Sequence, residues 1–165
     1  MVKKLEEMNG MALKLYKPRL EDLWFRRELL ADETTMSYNH AYGGTIAFPR
    51  ERWREWYDRW LVDREGRRFY RYLMKNDGAF VGEVAYHWDA EREICLSDVI
   101  VRGDLRGKGY GREGLRLLCE AAMENGVTVL YDEIAVDNPS VKLFLRCGFV
   151  EVKRTEETVL VKKEL

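Results

Sequence analysis

Residues 98–124 read DVIVRGDLRGKGYGREGLRLLCEAAME, and the order of properties along them decides the fold. Val99, Ile100 and Val101 close an apolar strand, and after a short polar connection comes Arg106-Gly107-Lys108-Gly109-Tyr110-Gly111. Leu115, Leu118, Cys119, Ala122 and Met123 then fall at i, i+3, i+4, i+7 and i+8, one face of an amphipathic helix. Alternate glycines let successive backbone N–H groups turn toward one point at the helix N-terminus. Unpaired amides and the positive end of the helix dipole favour an anion there. Arg106 and Lys108 add cationic side chains, so the stretch is expected to cradle a pyrophosphate.

Other phosphate loops fit less well. Gly109-Tyr110-Gly111-Arg112-Glu113-Gly114 matches the dinucleotide pattern G-x-G-x-x-G, and Asp132 lies about where a ribose-binding acid would stand. That pattern, however, begins directly at a strand end, whereas Arg102–Lys108 intervenes here. The preceding segment also looks like antiparallel hairpin rather than further βαβ units. A Walker loop is excluded, because no Gly-Lys is followed by Ser or Thr.

Arg106-x-x-Gly109-x-Gly111 after a strand resembles the signature of the GNAT-type N-acetyltransferases. A second block resembles that family's strand, Asn-containing loop, helix and terminal Gly-Phe. It runs Ile134-Ala135-Val136-Asp137-Asn138-Pro139 and then Leu143-Phe144-Leu145-Arg146-Cys147-Gly148-Phe149. The resemblance implies an α/β (α+β) GNAT fold: a mixed central sheet of about seven strands with helices on both faces. It also implies acetyl-CoA as acetyl donor. The pyrophosphate would lie on the amides of Gly107, Lys108, Gly109, Tyr110 and Gly111, with Arg106 beside it, and the pantetheine along the backbone of Val99, Ile100 and Val101. By the same analogy Asn138 holds the pantetheine side.

The implied activity is transfer of acetyl from acetyl-CoA to a primary amine of a small molecule or peptide N-terminus, by direct attack in a ternary complex. An ammonium must lose a proton before it attacks, so a base is needed. Asp98 is the first candidate, a carboxylate interrupting an apolar strand; Glu133, on the next predicted strand, is the second. One position departs from the family. Phe144 stands where many relatives carry a tyrosine that protonates the departing thiolate, so the acid would be water or another tyrosine such as Tyr131. That departure keeps open an alternative, a catalytically weak or inactive CoA-binding regulatory module. Tyr38, His40 and Trp88, with Tyr42, are the candidate acceptor-binding residues, an aromatic floor suited to a cation or an apolar side chain.

Composition narrows the classes. The chain has 165 residues, 46% hydrophobic and 35% charged, as expected of one soluble globular domain spanning 1–165. A net charge of −1 offers no global reason to expect nucleic-acid binding. Cys95, Cys119 and Cys147 form no close pair, which points to buried reduced thiols in a cytoplasmic protein and to no metal site. Lys3, Lys4, Glu6 and Glu7 interrupt any apolar run long enough for a signal peptide, and no segment reads as a membrane span. Homodimerisation through the C-terminal strands is common among proteins the chain resembles, so the resemblance leaves a homodimer open.

Working outward, residues 1–10 read as a polar leader and Met11–Tyr16 as a first strand, followed by a helix through about Leu30. Asp32–Phe48 lacks either period and is expected to be a long loop. Trp53, Trp56, Tyr57, Trp60 and Leu61 form the apolar stripe of a helix opened by Pro49. Phe69–Lys75 and Ala79–Trp88 are strands joined by the turn Asn76-Asp77-Gly78, and Glu93–Val101 is the next. Strand Val127–Val136, a helix capped by Asn138 and ended by Gly148, and a closing hairpin complete the order β-α-α-β-β-β-α-β-α-β-β.

Overall fold

The structure, a computed structural model, describes residues 1–4, 12–63 and 65–165. The start of the expected first strand at Met11 and most of the polar leader lie outside the described residues. β1 (Leu13–Tyr16) leads through a 3-10 turn at Leu20–Asp22 into α1 (Leu23–Ala31). The segment expected as loop contains a 3-10 helix, Ser37–Tyr42. Its order comes from a hydrogen-bonded turn rather than from a repeating apolar face: the Met36 amide donates to Asp32 O at 3.0 Å and the Asn39 amide to Met36 O at 3.0 Å. α2 (Trp53–Leu61) follows a 3-10 turn that begins after Pro49.

β2 (Arg68–Lys75), β3 (Phe80–Asp89) and β4 (Ile94–Val101) form an antiparallel meander. α3 (Tyr110–Glu124), β5 (Val129–Ala135), α4 (Ser140–Arg146), β6 (Val150–Arg154) and β7 (Thr158–Glu164) complete the chain. The element order is the one expected from the sequence. Strand boundaries shift by a residue or two in either direction, as helix and strand ends commonly do.

The seven strands lie in one sheet in the order β1-β2-β3-β4-β5-β7-β6. Every neighbouring pair is antiparallel except β4 and β5, which run parallel. Because side chains alternate along a strand, β1–β4 serve two cores. On one face, Leu115, Leu118 and Ala122 of α3 and Val141 and Phe144 of α4 pack on Val84, Cys95, Leu130 and Ile134. On the other, Phe25 and Leu29 of α1 and Leu61 of α2 pack on Tyr70, Tyr72 and Ala85. Leu115 and Leu118 are wholly buried, and each such side chain contributes about 1.5–3 kcal/mol by leaving water. The cysteines form no disulfide: Cys95 is buried, Cys119 and Cys147 half-buried. Among the described residues no helix is long and apolar enough to cross a membrane.

Candidate active site

The parallel junction in the middle of the sheet is nearly absent. β4 and β5 pair only at Cys95↔Leu130 and Leu96↔Tyr131, and beyond them the strands diverge. The backbone of Asp98–Val101 is therefore bonded to β3 on one edge and open on the other. A buried backbone edge needs partners, so this opening is built for a molecule with amides of its own or for water.

A clip holds the apex of the divergence. Ser97 Oγ lies 2.8 Å from Tyr131 O and 2.8 Å from Asp132 Oδ2. One hydroxyl proton serves only one of them. Burial, with the nearby Asp98 charge, pushes the Asp132 carboxyl well above the ordinary carboxylate range. The Ser97 hydroxyl, donating to Asp132 Oδ2 or to Tyr131 O, ties β4 to β5 at this point. Asp132 is 7% exposed and so is no ribose ligand.

β4 delivers the chain to a 3-10 turn at Gly103–Leu105 and then to the glycine-rich loop. Gly107 (φ 75°) and Gly109 (φ 87°) both occupy the left-handed region that side chains disfavour. Gly109 caps α3, whose first-turn amides from Tyr110 onward point out of the helix end. Gly111 sits inside that first turn, where Leu143 Cδ2 lies 3.1 Å from the place a Cβ would occupy. The Tyr110 ring is buried in the core, so that residue offers only its amide. Lys108 is exposed at the loop. Arg106 turns away from it: its guanidinium donates to Thr34 O at 3.0 Å and to Thr35 O, and stands 5.0 Å from the Tyr38 ring centroid. Asn138 Oδ1 accepts the amide of Ser140, the first residue of α4, at 2.9 Å.

Asp98 projects from β4 to the α1–α2 face, opposite Ala85 in register. The carboxyl is solvent-accessible, yet the recess around it desolvates it and the neighbouring Glu83 charge repels it. Its pKa is pushed up to about 6, against the opposing pull of Arg26 and the Val99 amide. Glu83 itself is buried. It accepts from Arg26 Nη1 at 2.5 Å and from the Tyr70 hydroxyl, while the Arg26 guanidinium lies 4.5 Å from the Trp56 ring and 5.3 Å from Phe48. Glu133 is engaged, by Arg92 Nη1 at 3.1 Å and Thr158 Oγ1 at 3.3 Å. His40 Nε2 stands 3.3 Å from Asp137 Oδ2, which ties the Ser37–Tyr42 turn to the β5–α4 connection.

The sequence-derived candidates thus divide. Val99–Val101 lie on the edge of β4 that β5 leaves, Gly107–Gly111 lead into α3, Asn138 lies in the β5–α4 connection, and Asp98 faces the α1–α2 side of β4. Tyr38 and His40 belong to a turn that packs on β5. Trp88 does not join them: it pairs with Cys95 and shares the face of Tyr86, opposite to Ala85 and Asp98. His87, two residues from Ala85 and on its face, lies beside Trp60 at 5.9 Å between centroids. Phe144 packs on Phe149 in the core at 4.9 Å and brings no hydroxyl. Sequence reasoning missed Arg26, Tyr70, Glu83 and Ser97. Glu83 carried the signal used for Asp98, a lone carboxylate in an apolar strand. Among the described residues no three His, Cys, Asp or Glu side chains are grouped to hold a metal.

Comparison with known proteins agrees with this geometry. The model of the acetyltransferase (GNAT) family matches residues 24–149. Similar solved structures include a phosphinothricin acetyltransferase from Sinorhizobium meliloti in complex with AcCoA (16% identity, TM-score 0.74, covering 93% of this chain and 88% of that one). A spermidine N-acetyltransferase from Vibrio cholerae in complex with CoA and spermine is 20% identical (TM-score 0.74, 92% and 95% covered). A ribosomal-protein-alanine N-acetyltransferase from Brucella melitensis is 23% identical (TM-score 0.71, 93% and 100% covered). At these identities the structures establish a shared fold. No curated protein matches the sequence.

Proposed function

Because the chain belongs to the acetyltransferase (GNAT) family, we propose that it moves an acetyl group from acetyl-CoA to a primary amine of a small molecule or peptide N-terminus, by direct attack in a ternary complex. The observation that carries this reading is the divergence of β4 and β5 after Leu96↔Tyr131, immediately before a glycine-capped helix N-terminus. The opening suits a pantetheine arm bonded to the Asp98–Val101 backbone, and the loop suits a pyrophosphate on the amides of Gly107–Gly111 with Lys108 beside them. Asn138 borders the opposite side.

The acceptor amine approaches from the α1–α2 face, where Asp98 is the group able to take its proton. A carboxyl with a pKa near 6 is ionised at neutral pH yet more basic than an ordinary aspartate, the compromise general-base catalysis needs. Glu133, held by Arg92 and Thr158, is less available. The attacking nitrogen forms a bond to the thioester carbon, a main-chain N–H of β4 stabilises the oxyanion, and the C–S bond breaks with its electron pair leaving on sulfur. With phenylalanine at position 144, the thiolate takes its proton from water; a thiol pKa of about 8–9 makes it a tolerable leaving group. Tyr38, His40 and Tyr42 border the acceptor approach.

Incubation with acetyl-CoA and a panel of aryl-alkyl monoamines, polyamines, aminoglycosides and short peptides tests the reading. It predicts one acetyl group gained by an amine and one equivalent of CoA thiol released. Tight acetyl-CoA binding with no turnover across the panel would favour instead a CoA-binding module without catalysis, which the buried Phe144 side chain would explain.

A further inference from the structure

Arg106 occupies the signature position ahead of the glycine loop, and its charge alone would assign it to the cofactor phosphates. Its contacts do otherwise. Nη1 donates to Thr34 O at 3.0 Å and lies 3.4 Å from Ser37 Oγ; Nη2 donates to Thr35 O, and the Tyr38 ring lies against the guanidinium. A planar fork filled by two main-chain carbonyls and stacked on a ring is a use of arginine that lysine cannot copy.

A second contact strengthens the same junction. The Gly103 amide donates to Thr35 Oγ1 at 3.0 Å, and Thr35, 4% exposed, is in turn bonded to Asp32. Gly103 permits the approach: a Cβ there would lie 2.8 Å from both Thr34 C and Thr35 N. At its other end the turn is fastened by His40 to Asp137, next to Asn138. The Thr34–Tyr42 segment therefore spans from the loop after β4 to the loop after β5, across the acceptor side of the divergence.

We propose that Arg106 is a positioning residue for the acceptor: it pins the Thr34–Tyr38 turn, and through it Tyr38, His40 and Tyr42, to the chain that seats the cofactor, and it does not neutralise the cofactor's phosphates. The proposal rests on the preceding assignment of the Gly107–Gly111 loop to acetyl-CoA. The pinned turn is itself observable without any ligand, through the Met36, Asn39 and Ile46 amides, which donate to Asp32, Met36 and Leu30 carbonyls.

Hydrogen exchange at those amides and calorimetric titration with acetyl-CoA, on wild type, Arg106→Ala and Arg106→Lys, decide the matter. Exchange should quicken by about tenfold or more in both variants, while the acetyl-CoA Kd stays within about threefold of wild type. With an amine found in the panel, acceptor KM should rise by about tenfold with acetyl-CoA KM little altered. Gly103→Ala, which leaves every charge in place, should quicken the same amides. Unchanged exchange in Arg106→Ala overturns the proposal. So does an acetyl-CoA Kd at least tenfold weaker in Arg106→Ala and restored in Arg106→Lys, the signature of a charge serving phosphate. A wild type that binds no acetyl-CoA would refute the cofactor assignment instead, and the exchange comparison would still judge the pin.

Discussion

On the α3 side of the β4–β5 divergence, the groups proposed to hold a phosphate come from consecutive residues, Gly107–Gly111, and are mostly main-chain amides. On the α1–α2 side, the environment of Asp98 is assembled from side chains far apart in sequence: Glu83 and Arg26, with Tyr70 bonded to Glu83. A seat made of backbone depends on φ angles and on the absence of side chains. A pocket made of buried ionic partners depends on every member being present. The first is broken by adding atoms, the second by removing them.

The largest effect should come from filling the seat. Gly109→Glu places a carboxylate among the amides at a φ of 87° and should weaken acetyl-CoA binding more than about 100-fold, read by calorimetry with circular dichroism as the folding control. On the other side, Asp98→Asn removes the proposed proton acceptor. Turnover at pH 7 should fall by about 10²-fold or more and recover in part at alkaline pH, where the amine is already neutral. Wild-type kcat/KM should show an acid limb near the Asp98 pKa of about 6, absent in the variant. A flat response of the ratio of the two rates to pH would remove Asp98 as base.

Arg26→Met tests interdependence without touching the reacting groups. It strands Glu83, whose side chain is 4% exposed, and should cost about 3–5 kcal/mol of stability, measured by urea unfolding. The smallest effect belongs to the apex clip. Asp132 ionises near 3.8 when unfolded and well above that when folded. Its contribution is therefore full below the unfolded value and is lost as pH rises toward the folded one. Asp132→Asn, an uncharged near-isostere, should melt higher than wild type at pH 7 and match it below pH 4. A variant less stable than wild type at neutral pH would mean that the clip needs the carboxylate.

The same contrast explains what the sequence disclosed. α3, its glycine cap and the hairpin turn at Gly78 are local features, set by 3.6-residue and two-residue periodicity and by turn chemistry, and each lies where expected. Asp98 stood out because a charge interrupted an apolar strand. The divergence itself is a failure of pairing between strands separated by a helix, and no periodicity records it. Nor could spacing show that Arg26 reaches Glu83 across 57 residues, or that Arg106 reaches back 71 residues to Thr35. Trp88 went astray for another reason: it was grouped by composition, although two-residue alternation sets it with Tyr86 and against Asp98.

Thermal unfolding with acetyl-CoA, NAD and ATP in parallel tests the central claim most directly, that the β4–β5 opening and its glycine-rich loop together seat acetyl-CoA. The account predicts stabilisation by acetyl-CoA alone, about 2.7 kcal/mol at a hundred times the dissociation constant, and its loss in Gly109→Glu. Stabilisation by NAD instead, or by none of the three, would contradict it.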